Sequence, residues 1–218
     1  MLIKRLLTTF ALIAVFASCC SASLVDNGSF ENPDVSDGGF GILNAGNTTL
    51  TGWTISDGGQ TANNGGVTVI DSWNIGFSSG IIAQASDGEQ LLNLQNTGDA
   101  GTISQTLATT AGSQYLLTFD YGAVAFGTRT LNLNYEIDGQ SQDLSVDIPA
   151  GFQQIGWFQE SLLFTASTNS TTLSFTGNHF NGFYGVALDN VAVNAIPEPS
   201  SMVLLGASLA GFVIRRRR

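Results

Sequence analysis

The sequence predicts an all-β protein built as a jelly-roll β-sandwich, and three observations carry that prediction. Apolar and polar residues alternate with period two in run after run between residues 24 and 195. Clusters of Gly, Asn, Asp and Ser separate the runs, as turns require. No helical pattern of any length appears in this region. About ten short strands in one domain imply two packed sheets.

The runs follow in order. "LTGWTIS" (50–56), "GVTVIDS" (66–72), "EQLLNL" (89–94) and "GTISQTLA" (101–108) come first. "QYLLTFDY" then places Tyr115, Leu117, Phe119 and Tyr121 on one face. "RTLNLNYEID" places Leu131, Leu133, Tyr135 and Ile137 on one face, opposite Thr130, Asn132, Asn134 and Glu136. "QDLSVDI" (142–148), "FQESLLFTA" (158–166), "TTLSFTG" (171–177) and "VALDNVAV" (186–193) complete the set. Asp34 to Asn47 and Asp57 to Gly66, rich in Gly and Asn, are expected to be loops.

Three segments are expected: 1–23, 24–195 and 196–218. Lys4 and Arg5, the apolar stretch Leu6–Ala17 and the small residues Ser21-Ala22-Ser23 have the layout of a secretory signal peptide cleaved before Leu24. A competing reading makes Phe16-Ala17-Ser18-Cys19 a lipoprotein signal with Cys19 lipidated. Both cysteines, Cys19 and Cys20, lie in this leader, so cleavage after Ser23 leaves a domain without disulfides. At the other end, Ser200–Ile214 is uncharged and would reach about 22 Å as a helix. That is short for a bilayer core of about 30 Å. Arg215, Arg216, Arg217 and Arg218 would lie on the cytoplasmic side.

Charge excludes some functions. Arg129 is the one basic residue between 24 and 195, against sixteen acids. Nucleic-acid binding needs cations to neutralise phosphate and is excluded. Many carboxylates do suit Ca²⁺, a hard ion that takes oxygen ligands. An acid at Asp189, among the apolar residues of "VALDNVAV" and on the face of Val191 and Val193 by alternation, must be paired or bound to metal if buried. The alternative is that Asp189 accepts backbone N–H bonds without any metal.

Catalytic signatures are poor. His179 is the sole histidine, which excludes His-rich zinc sites and leaves a single base for a serine triad. No G-x-S-x-G elbow is present. Among the tryptophans, Trp53 and Trp157 are expected in the core and Trp73 as a sugar platform. Tyr121, Phe126, His179 and Tyr184 are either on the same face or ordinary core and turn residues, and Arg129 either pairs with a uronic acid or, the simpler reading, forms a local salt bridge.

Two resemblances add to this. Pro197-Glu198-Pro199, a short apolar stretch and the arginine cluster resemble the PEP-CTERM sorting signal over Ile196–Arg218. The resemblance implies a Gram-negative bacterium that makes extracellular polysaccharide. It also implies transient anchoring in the inner membrane, processing by an exosortase, and delivery to the cell surface or matrix. "LVDNGSFENP", "GWTIS", "DGEQLLNL" and "GVALDNVAV", in that order, resemble the galactose-binding-like jelly rolls, notably domain of unknown function 642 and its choice-of-anchor relatives. That resemblance implies a secreted, non-enzymatic protein associated with polysaccharide. It further implies that the first and last strands lie side by side, bringing Glu31 to Asp189 with Asp87 nearby. A structural Ca²⁺ held by these acids is the corresponding expectation. The functional expectation is a non-catalytic carbohydrate-binding surface or matrix protein. Its rivals are a structural surface protein without a saccharide pocket and a polysaccharide-degrading enzyme.

Overall fold

A computed structural model describes residues 22–58, 65–75, 81–96, 100–124, 129–148, 154–178 and 184–197. Residues 1–21 of the expected signal peptide, the apolar stretch and the arginine tail therefore lie outside the described residues. All regular structure within them is β. In chain order the strands are β1 (Phe40–Asn44), β2 (Thr54–Ser56), β3 (Gly66–Asp71), β4 (Trp73–Ile75), β5 (Ile81–Ala83), β6 (Gln90–Asn93) and β7 (Thr102–Ala108). They continue with β8 (Gln114–Val124), β9 (Arg129–Ile137), β10 (Gln140–Ile148), β11 (Phe158–Thr165), β12 (Ser170–Asn178) and β13 (Gly185–Ala195).

Two antiparallel sheets form the jelly-roll sandwich. The six-stranded sheet has the order β1-β3-β6-β13-β8-β11 and the five-stranded sheet β10-β9-β12-β7-β2; β4 and β5 pair as a hairpin. All ten predicted runs are strands. β1 falls inside the region expected to be a loop: "FGILN" is a short edge strand that exists through its pairing with β3, Ile42 opposite Thr68. A five-residue run flanked by glycines gives alternation too little length to register. Trp73, expected beside loops, starts β4.

The alternation maps onto burial. Leu117 and Phe119 of β8 face Leu131, Leu133 and Tyr135 of β9 across the sandwich, with Ile103, Leu107, Leu173 and Phe175 beside them. Aromatic rings fill its centre: Phe119 meets Tyr135 and Phe175 edge-on, each at 5.0 Å. Trp53 is 5% exposed, joins this group through Phe30 and Phe175, and donates its Nε1–H to Asn27 O. The indole is thus core, as the sequence predicts. Trp157 packs instead against a smaller cluster of Ile70, Leu91, Val124 and Ala187 on the outer face of the six-stranded sheet. Gly122 admits this crossing, since a Cβ there would strike Ile155 and Gly156 O.

Both ends of the domain meet at one pole. Leu24 N–H donates to Val193 O, and Val193 N–H to Ser23 Oγ. Ile196 N–H donates to Gln114 O. Strand β13 runs eleven residues from there to Gly185, about 33 Å at ~3.3 Å per residue. The ends of β8 and β12 and the start of β9 share that second pole.

Candidate functional site

Strand β13 departs from the predicted alternation. Its register to β8 shifts between Asp189 and Ala192, and Asn190 adopts φ 52°. This is a β-bulge: one extra residue turns the strand by a face. Asp189 therefore does not share a face with Val191 and Val193, which stay in the core. Its side chain turns toward the segment Ser86–Gln90 and is fully buried.

The carboxylate is met there by donors. Asp189 Oδ2 accepts from Ser86 N at 2.7 Å, Ser86 Oγ at 3.1 Å and Asp87 N at 3.0 Å, and Oδ1 accepts from Asn190 N at 2.7 Å. Glu31 grips the same segment one step along, its Oε1 accepting from Glu89 N at 2.8 Å and Gln90 N at 2.9 Å. Gln90 then reaches back, donating to Phe30 O and Pro33 O and accepting from Val35 N. Gly88 (φ +70°) lies so close under Glu31 Oε1 that no Cβ fits. Glu31 and Asp189 are thus brought to one segment, as expected, with Asp87 contributing its backbone N–H. Burial pushes the Asp189 carboxyl up from 3.8 to about 6, against the lowering effect of the amides of Asp87, Asn190 and Ser86 and the Ser86 hydroxyl.

These residues as arranged do not fit a bridging Ca²⁺. A calcium ion needs six to eight oxygens, whereas the groups converging on Asp189 and Glu31 Oε1 are five backbone N–H donors and one hydroxyl, which take up the carboxylate lone pairs that an ion would need. Among the described residues no group of three or more His, Cys, Asp or Glu could hold a metal. Asp189 ties the 86–90 segment to the last strand, and Glu31 ties it to the opening segment, both directly. Ligand linkage would add about 2.7 kcal/mol at a hundredfold excess of Ca²⁺ over its Kd, or about 5–10 °C for a domain of this size. The expected outcome is a melting temperature that ignores both chelator and added Ca²⁺; a drop of that size on chelation would restore the ion.

The expected ligand residues separate into two places. At the second pole the Arg129 guanidinium lies 4.5 Å over the Tyr184 ring, a cation–π stack. Arg129 Nε is buried without a hydrogen-bond acceptor. Tyr121 lies elsewhere, 5.6 Å from Phe158 and 6.1 Å from Phe119. The Trp73 side chain, Phe126 and His179 lie outside the described residues, as do Glu198, Pro199 and Arg215–Arg218; Pro197 is exposed just beyond β13. Sequence reasoning missed Glu160 and Phe158. Their signal was present in "FQESLLFTA", where alternation puts a glutamate on the face of Phe158, Leu162 and Phe164.

No curated protein matches this chain. Among solved structures, the chain is similar to the K1 cleaved adhesin domain of Lys-gingipain from Porphyromonas gingivalis W83. The identity is 14% and the TM-score 0.50, covering 73% of this chain and 100% of that one. It is also similar to TmCBM61 in complex with β-1,4-galactotriose (16%, TM-score 0.48, covering 81% and 100%). A third is the CBM22-1 xylan-binding domain of Paenibacillus barcinonensis Xyn10C (15%, TM-score 0.44, covering 75% and 99%). At such identity the adhesin-domain likeness speaks to the fold alone. The family model described as protein of unknown function (DUF642) matches residues 23–194, and the PEP-CTERM protein-sorting motif matches residues 195–218. With most of its length in that match, the chain belongs to the DUF642 family and ends in a PEP-CTERM sorting segment.

Proposed function

We propose that this protein is an exported, non-catalytic carbohydrate-binding domain, processed by an exosortase and retained at the cell surface or in the extracellular polysaccharide. The observation that carries the binding reading is the Arg129–Tyr184 stack. The domain's one cation is held against an aromatic ring at the pole opposite the chain ends. The ring, packed against the core, holds the guanidinium above it, and the guanidinium supplies donors for hydroxyl or carboxylate oxygens. The sorting segment supports export and delivery: Ile196 and Pro197 leave from the first pole, so an anchored precursor would hold the stack about 33 Å away from its attachment. The same PEP-CTERM motif supports an inner-membrane stage before processing.

The non-catalytic reading rests on the site's chemistry. The buried acid, Asp189, is engaged by four donors inside the fold and is not presented to a substrate. Affinity electrophoresis through gels containing soluble polysaccharides tests the proposal. Arg129→Gln and Tyr184→Ala should each weaken retardation by about tenfold, the size of one charged hydrogen bond or one aromatic contact. Unchanged retardation in both variants would move the binding surface elsewhere. No retardation of the wild type in any gel would favour a structural surface protein.

A further inference from the structure

Strands β10 and β11 each end a sheet, and because β10 packs across the sandwich on β8, the neighbour of β11, they do so on the same side. The inward face of β11 carries Phe158, Glu160, Leu162 and Phe164, opposite Tyr121, Phe119, Leu117 and Tyr115 of β8. Three of the four are apolar, as a core face should be. Glu160 breaks the pattern. A carboxylate half-buried among rings is costly unless its oxygens find donors. One donor is in place: the Tyr135 hydroxyl donates to Glu160 Oε1 at 3.2 Å, from a ring only 1% exposed. Next along the strand, Phe158 is 53% exposed, with its ring propped on Tyr121. Burial first and the Glu160 charge second push both phenols up, Tyr135 to about 12, so both remain protonated donors beside the carboxylate.

We propose that the seam between β10 and β11 is a subsite for one neutral sugar ring, seated against Phe158 and hydrogen-bonded by Glu160. The inference rests on the carbohydrate-binding reading and adds a second place and a ligand class to it. A pyranose offers an apolar C–H face to the exposed ring and hydroxyls at its rim. Glu160 Oε1 accepts the hydrogen bond of the Tyr135 hydroxyl, and the second oxygen accepts from a sugar hydroxyl. A lone exposed phenylalanine would be ordinary surface; the adjoining carboxylate, held ready by a buried phenol, is what gives it a ligand. Charge sets the class. An anionic sugar would meet Glu160 in a domain with sixteen acids and only Arg129 as a base, and Arg129 lies at the pole rather than in the seam.

The test is titration calorimetry on the full chain in its exported form. The probes are neutral β-1,4-linked galactose and xylose oligosaccharides and, separately, oligogalacturonate. The wild type should bind a neutral oligosaccharide, and any binding of oligogalacturonate, which would fall to Arg129 at the pole, should be untouched by changes in the seam. Phe158→Ala and Glu160→Gln should each weaken that binding about tenfold or more while melting like the wild type. If Phe158→Ala does not fold, Phe158→Leu, which keeps apolar bulk without the ring, decides. Variants that bind neutral sugars as tightly as the wild type would overturn the seam and leave the carbohydrate-binding reading standing. Binding of oligogalacturonate alone would overturn the neutral class. Absence of binding to any glycan would remove the seam together with the reading beneath it.

Discussion

Asp189→Ala should lower the melting temperature of the exported protein by about 6–12 °C at pH 7.5. The side chain accepts from three backbone amides, those of Ser86, Asp87 and Asn190. Each amide stranded without a partner costs about 1–3 kcal/mol. Against this, the substitution relieves the cost of keeping a buried charge. The carboxyl's rise from 3.8 to about 6 puts that cost at roughly 3 kcal/mol, at about 1.4 kcal/mol per pH unit. The donors outweigh it, and a net loss of about 3 kcal/mol converts to the stated shift at about 2–4 °C per kcal/mol. The same numbers give a pH dependence. A folded-state value above the unfolded one means that the native state holds the proton more tightly. The stabilisation from Asp189 is complete below about pH 3.8 and is lost as pH rises through about 6. The wild type should therefore gain stability between pH 7.5 and 4.5. Asp189→Ala should lose this part of the gain, keeping only what the exposed acids give by shedding mutual repulsion. Parallel profiles for the two proteins would mean that Asp189 titrates like a surface acid.

The second large effect is in the aromatic centre. Phe175→Ala should cost about 3–5 kcal/mol, the usual range for deleting a buried phenyl ring. Phe175 is fully buried and touches Phe119, Tyr135 and Trp53, which come from strands of both sheets and the approach to β2. The three neighbouring rings are rigid, so collapse around the gap is limited and the upper half of the range is expected. Urea denaturation followed by tryptophan fluorescence would measure it, since Trp53 lies beside the cavity. A loss under about 1.5 kcal/mol, the usual bound for volume-conserving changes, would mean that the two sheets are not packed through this residue.

Strand alternation was legible wherever a run was long enough to show it. The facing of Leu117 and Phe119 toward Leu133 and Tyr135 follows from period two alone, and so does the burial of both faces' apolar members. β1, β4 and β5 were not legible: three to five residues between glycines carry no period, and pairing partners stabilise them. Asp189 was legible as a buried acid but not as to side. A bulge depends on one residue, Asn190, entering the left-handed region, and the run "LDNV" reads equally well as continuous strand. The first strand does not lie beside the last, since β3 and β6 separate β1 from β13; it is the opening segment, through Leu24 and Gly28, that runs along β13 and carries Glu31 to the 86–90 segment. What Glu31 and Asp189 hold was not legible, since backbone N–H donors have no residue signature. The Arg129–Tyr184 stack joins residues 55 positions apart; their types were suggestive, but only the packing of β9 against β13 brings them together.

The central claim is that the protein binds polysaccharide without cleaving it. One measurement addresses both halves: incubation of the exported protein with insoluble extracellular polysaccharide from its own host, followed by sedimentation and a reducing-end assay on the same samples. The account predicts that the protein sediments with the polysaccharide and that no reducing ends accumulate above the protein-free control. Protein left in the supernatant would contradict the binding half, and reducing ends rising with time and enzyme-like dose dependence would contradict the other.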